Sequence, residues 1–242
     1  MQQSVENVFA RSWDLLGKNW ILIVPGIVVG VVVGIMTGLL VPDAFTNSGD
    51  PVGQLSRMAS RFASGFIVGI VGIAGYIVTQ CYTAGMAGAA WLKGTATLED
   101  GASALRADAG NVFVAAIGLL AMGIIAALLV LPTLGLSFLA FYVFFIYTIA
   151  SAVVGNQRGF DALGESFRIA KARFGPTLII ALVLVVIRIV GGLIAGLFGI
   201  TPLVGPIVGA VINQVVVAFA TLVVVGEYLN LRGAPEQPTP AP

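Results

Sequence analysis

The chain alternates between long uncharged apolar runs and short polar connectors. The runs cover residues 20–41, 62–92, 112–155, 176–187 and 189–226. A helix needs about 20 apolar residues to cross the hydrocarbon core of a bilayer. The first two runs therefore hold one span each, the second with residues to spare. The third is twice too long, and Leu131-Pro132-Thr133 lies near its middle. Proline cannot continue a helix, so this run divides into spans 112–131 and 134–155 joined by a tight hairpin. Gly199-Ile200-Thr201-Pro202 divides the last region in the same way, into 176–198 and 204–226. The pattern predicts an all-α polytopic membrane protein with six transmembrane helices. The ten-residue polar/apolar alternation of a membrane β-barrel is absent.

Polar segments ahead of the spans carry a second period. Ser4 to Trp20 aligns without a gap on Arg158 to Phe174, setting Phe9 against Leu163, Ser12 against Ser166, Trp13 against Phe167 and Trp20 against Phe174. Thr97 to Val112 reads as a weaker third copy, with Leu105 at the aromatic position. In the first copy Val5, Val8, Phe9, Trp13 and Leu16 share one face at the helical period, while Glu6, Arg11, Asp14 and Lys18 take the rest. Such a helix lies in the headgroup layer with its apolar face inward. The chain then reads as three hairpin units, about 1–92, 93–155 and 156–230, each led by a cytoplasmic interfacial amphipathic helix. Together they make one integral membrane domain, 1–230. Residues 231–242, with proline at alternate positions near the end, read as a disordered, solvated tail.

Composition agrees with a lipid solvent. Of 242 residues, 58% are hydrophobic and only 10% charged, and mean hydropathy is +1.03. Soluble domains carry about 25% charged residues, too many to find here for a water-facing surface. The connectors alternate in charge: Arg11, Lys18, Lys93, Arg106, Arg158, Arg168, Lys171, Arg173 and Arg232 fall on one side, and only Arg57 and Arg61 on the other. The positive-inside rule puts both termini in the cytoplasm, in a cytoplasmic or inner membrane. The first apolar run is too long for a cleaved signal, so it is expected to stay as a signal anchor. A net charge of +1 with no basic patch points away from nucleic acid.

Glycines recur at every fourth position in the first span, at Gly26, Gly30, Gly34 and Gly38, with shorter versions at Gly65/Gly69, Gly192/Gly196 and Gly205/Gly209. Lipid gives helices little hydrophobic reason to associate, and close backbone approach supplies dispersion contacts instead. The stripe is expected to pack against another helix, within the monomer or in a homodimer.

Arg188 is the one charge inside a span. At mid-bilayer it costs at least about 2.5–3.5 kcal/mol unless partners or water reach it. Asn213 and Gln214 on the last span, with Gln80 and Tyr147, are the polar groups at similar depth; Asn213 continues the Gly205/Gly209 face and is expected to point into a helix contact. Two readings stand: a mid-membrane site for an anionic headgroup or solute, or a structural cluster from which Arg188 snorkels to the outer surface. Glu99, Asp100 and Asp108 read as a solvated face, and Glu227 and Tyr228 as groups meeting headgroups and water.

Catalysis finds little to work with. The chain has no histidine, its one cysteine, Cys81, lies in an apolar run, and no phosphate-binding loop, nucleophile elbow or metal-ligand spacing occurs. Ser151 has no base beside it in sequence. No enzyme activity, cofactor or metal is expected.

The run Phe144 to Gly155, followed by Asn156 to Gly175 with its Gly159-x-x-Ala162-Leu163-x-x-Ser166-Phe167-Arg168 core and the span-opening Phe174, resembles a recurring pattern of bacterial and archaeal membrane proteins. Glu227-Tyr228-Leu229-Asn230-Leu231-Arg232 resembles the usual close of that pattern. These are the six-helix families similar to the membrane domain attached to some glycerophosphodiester phosphodiesterases, and to YciC-like proteins. The resemblance implies the architecture and no activity, since any catalysis there belongs to the attached domain. The acidic residue often found ahead of the pattern's polar turn is Gly155 here. The expected role is a membrane-organising, accessory or lipid-associated protein whose partners are membrane lipids, other membrane proteins or itself. The rival is a transporter or lipid translocator built on Arg188, Asn213 and Gln214.

Overall fold

The computed structural model describes residues 3–40, 51–198 and 204–232. All elements among them are helical: α1 (Val5–Lys18), a 3-10 turn (Trp20–Ile23), α2 (Val24–Leu40), α3 (Pro51–Lys93), α4 (Leu98–Leu128), α5 (Leu136–Phe145), α6 (Thr148–Val153), α7 (Gly159–Ala172), α8 (Phe174–Phe198) and α9 (Val204–Arg232). Five helical stretches are long and apolar enough to cross a membrane, and a sixth arises if α1 and Trp20–Val33, bent by 89°, count as one. The chain is an all-α, multi-pass membrane protein.

Each boundary has a local cause. Ser4 caps α1 by accepting from the Asn7 amide, and Thr97 with Asp100 closes a reciprocal capping box on α4. At the predicted Pro132 hairpin the chain turns between Leu128 and Leu136, with Leu134 and Gly135 at positive φ and the Gly135 amide donating to the Val130 carbonyl at 2.9 Å. The Gly199–Pro202 break lies outside the described residues except for the ends of α8 and α9 beside it. So do Asp43 and Asp50, and the tail from residue 233 onward; residues 231 and 232, placed in the tail by sequence, still belong to α9.

Two expectations on element boundaries change. The segment 51–61, read as loop, extends α3 to 43 residues. The middle unit has no separate interfacial helix: Leu98–Leu128 is one helix of 31 residues, about 46 Å long. Apolar residues dominate from Val112 onward, and nothing at Asn111 turns the chain as Asn19 does.

Helix neighbours follow a cyclic order. Within each unit the first span meets the second: α2 with α3, α4 with α5, α8 with α9. Each second span then meets the next unit's first: α3 with α4, α5 with α8, α9 with α2. The second spans also meet one another, as α3 with α9, α3 with α6 and α6 with α9. Each amphipathic leader rests on the second span of the unit before it, α1 on α9 and α7 on α6, and the head of α4 on α3. Three units thus close a ring around three inner helices.

Small residues permit these approaches at the end of the bundle that carries Arg11, Lys93, Arg173 and Arg232, called here the basic end. A Cβ on Gly101 would overlap the Tyr82 ring, one on Gly85 the Ala104 methyl, and one on Gly226 the Trp91 indole. The Trp91 indole N–H donates to the Leu222 carbonyl at 2.8 Å, and the Arg11 guanidinium stacks 4.6 Å over the same ring.

The glycine stripe on α2 behaves differently from expectation. Gly26 is crowded by the Gln214 side chain, but Gly30 faces open space, as do Gly65, Gly69, Gly192 and Gly196. The α2–α3 contact instead places Val29 and Val33 against Gly75. Gly209 has only ordinary contact with Ala195; the surroundings of Gly34, Gly38 and Gly205 lie outside the described ones.

Candidate functional site

Toward the basic end the inner helices converge on a packed core in which Tyr147, Leu222 and Tyr228 are fully buried. Away from it they separate and leave a crevice of about 580 Å³, walled by α3, α4, α5, α8 and α9. Its lining is largely aliphatic and aromatic, with Phe113, Ile117, Leu120 and Ile124 from α4 forming one wall. Five polar side chains interrupt it: Tyr76, Gln80, Tyr142, Arg188 and Thr221.

Arg188 stands 14 residues beyond the start of α8, hence about 21 Å along the helix, with ten residues following it. It is the only α8 side chain that lines the crevice. Among the described residues no carboxylate pairs with it. The Tyr76 and Tyr142 hydroxyls lie within its electrostatic reach. A guanidinium only donates hydrogen bonds, and Gln80 and both tyrosines can donate as well; the Thr221 hydroxyl already donates to the Val217 carbonyl at 2.9 Å. The wall therefore presents donors and one positive charge, with no anion among the described residues to balance them.

The five residues predicted to share a site separate into four places. Arg188 and Gln80 line the crevice together. Gln214 is engaged at the α2–α9 contact against Gly26, and Asn213, expected inside a helix contact, is exposed. Tyr147 is fully buried with its hydroxyl 3.2 Å from that of Thr177, nearer the basic end. The reason is position along α9: Asn213 and Gln214 sit eight and seven residues before Thr221, about two turns or 10–12 Å, and the stretch of α9 that reaches the crevice begins only at Val217. Sequence reasoning missed Tyr76, Tyr142 and Thr221. Tyr76 lies one turn from Gln80, a spacing that could have found it.

At the floor of the crevice the second span of the middle unit is broken. Expected as one span, it crosses as one, Leu136–Val153, with the helix interrupted at Ile146 and Tyr147 between α5 and α6. The Ser166 hydroxyl of α7 repairs the break, donating to the Phe144 carbonyl at 2.9 Å and accepting from the Tyr147 amide at 3.2 Å. Non-helical backbone at membrane depth survives only where such partners reach it. Phe145 and Ile146 at the break face the crevice.

Below the floor lies a polar lock that joins α7 to α9 and reaches the second unit at Gly155. Tyr228 donates to Glu165 at 3.0 Å, Arg232 pairs with Glu165 at 3.4 Å, and Arg232 also donates to the Gly155 carbonyl at 2.8 Å. Gly155 leaves the space this needs, since a Cβ there would overlap the Tyr228 hydroxyl. Glu227 is 2% exposed and accepts from Asn230. Glu227 and Tyr228, expected among headgroups and water, are core residues: Glu165 takes the Tyr228 hydroxyl, and Asn230 gives the buried Glu227 carboxylate a donor.

Comparison with family models, curated proteins and solved structures finds no match.

Proposed function

We propose that this is a non-enzymatic membrane protein that holds membrane lipid in its intramembrane crevice. Arg188 carries the reading: a guanidinium on the wall of an apolar cavity, with hydroxyl and amide donors around it and no described carboxylate beside it. A charge at that depth is costly, and an anionic headgroup offsets the cost where the protein supplies no anion. The structural-cluster reading loses support because Asn213, Gln214 and Tyr147 do not gather around Arg188. We place the protein in the cytoplasmic membrane with the basic end inward, and both termini in the cytoplasm, from the bias of Lys and Arg. We also set it beside the six-helix membrane-domain families on the strength of the Gly159–Phe174 pattern.

A second reading, lipid translocation, draws on the α5–α6 break. Discontinuous helices recur at transporter binding sites, and this break lies on the crevice floor.

The test is lipid retention. Protein purified in mild detergent should release bound lipid in native mass spectrometry, and Arg188→Leu should lose it at equal yield. Equal retention by the variant would remove the reading. Lipid scrambling in proteoliposomes decides the second: dye-labelled lipid crossing no faster than in empty vesicles discards it.

A further inference from the structure

Resting on that reading, we propose that the crevice selects a single-chain amphiphile with one negative charge, seated with its headgroup on Arg188. Three observations converge. First, charge: among the described residues the lining holds one cation and no carboxylate. A monoanion balances it, a dianion leaves one charge uncompensated in a low-dielectric site, and a neutral or zwitterionic headgroup leaves the imbalance or adds a buried cation. Second, donors: Gln80, Tyr76 and Tyr142 line the same crevice as Arg188 and suit an acceptor-rich carboxylate or phosphodiester.

Third, shape. The cavity of about 580 Å³ lies within the range of small-ligand sites. Along α4 its wall runs from Phe113 to Ala127, about 21 Å, which is the reach of one extended acyl chain. That wall is apolar, so a small hydrophilic anion would leave it uncovered. A fatty acid and an anionic lysophospholipid share the required chemistry.

The experiment uses the full chain in nanodiscs of zwitterionic lipid, titrated with palmitate, lysophosphatidylglycerol, lysophosphatidylcholine, phosphatidylglycerol and inorganic phosphate, and read by calorimetry. Palmitate, lysophosphatidylglycerol or both should bind, showing which source supplies the anion; lysophosphatidylcholine, phosphatidylglycerol and phosphate should neither bind nor compete. Arg188→Gln should weaken binding by about tenfold or more, as loss of a charge-assisted contact demands, and Arg188→Lys should restore part of it. Gly123→Leu places bulk at the wall, where a Cβ has room before it meets Phe141 at 3.8 Å, and should block binding with Arg188 intact. If phosphatidylglycerol binds as tightly as the single-chain anions and depends on Arg188, the one-chain selectivity is wrong while the lipid-site reading stands. If phosphate alone binds, or no probe depends on Arg188, both fall.

Discussion

The helices α1 and α7 have the same length and the same ending, yet they do different work. Each has 14 residues, and each begins and ends at the same position of the gap-free register that pairs Ser4 with Arg158. The residues that end them, Asn19 and Arg173, adopt nearly one conformation, φ −125°, ψ 51° and φ −127°, ψ 47°. Ser12 and Ser166 are both fully buried at matching positions, as are Val8 and Ala162. Ser166, however, mends the broken second span beneath it, whereas Ser12 lies where α1 packs on α9, which is unbroken, and its hydroxyl has no hydrogen-bond partner. The ends differ in the opposite sense. Asn19 is buried and ties three backbone groups together; Arg173 is exposed. The repeat therefore fixes the backbone, and each copy has placed its polar side chain where its own neighbour needs one.

The largest effect is expected at the helix ends. Asn19 donates to the Leu15 and Gly94 carbonyls and accepts from the Ala96 amide at 2.6 Å. Asn19→Ala orphans that buried amide and should cost about 2–3 kcal/mol, against about 0.5 kcal/mol or less for Arg173→Ala. Thermal unfolding of both variants in one detergent checks this. Equal losses would mean that the shared backbone geometry, rather than the side chain, holds each corner.

Next comes the break. Ser166→Ala leaves the Tyr147 amide and Phe144 carbonyl without their side-chain partner and should cost about 1–2 kcal/mol. Hydrogen exchange should rise at α5–α6 while α1 is unchanged. A rise of similar size in both regions would show that Ser166 does not act locally.

Smaller again are the exposed aromatics. Trp13 meets Phe219 edge-on at 5.6 Å, and Phe167 lies 4.9 Å from Phe144. Truncating either to alanine should cost about 0.5–1.5 kcal/mol. Trp13 and Trp20 are two-thirds exposed, so a spin label near the lipid headgroups should quench them more strongly than Trp91, which is 7% exposed. Stronger quenching of Trp91 would contradict an interfacial α1.

Much of this was legible in the chain itself. Span number and hairpin positions follow from apolar run length and from Pro132, because both report on the backbone's own limits. The Ser12/Ser166 match pointed to a buried polar position but not to its purpose, which depends on a break 20 residues away in sequence. The interfacial helix expected ahead of the middle unit merged with α4: Leu105 and Val112 replace the aromatic pair that marks the other two copies, and nothing holds the chain in a corner. For the site, depth alone grouped Arg188 with Asn213 and Gln214. The depth itself was misjudged: the part of α9 that meets the crevice is residues 217–225, about two turns nearer the basic end than Asn213 and Gln214. Glu227 was misjudged because the end of α9 packs inside the bundle, where Asn230 one turn on supplies its hydrogen bond.

The sharpest test of the comparison is also its smallest effect. If Ser166 is kept for the break it repairs, Ser12 should be dispensable for folding. Burial of a hydroxyl without a partner is unfavourable, so Ser12→Ala removes a cost and leaves only a small loss of volume. The expected change lies within about 0.5 kcal/mol, toward greater stability if anything, where Ser166→Ala destabilises. Because α9 is continuous at this level, no backbone group is left waiting for the lost oxygen. A cost for Ser12→Ala equal to that of Ser166→Ala would require a polar partner for Ser12, and the two halves of the repeat would then be doing the same work after all.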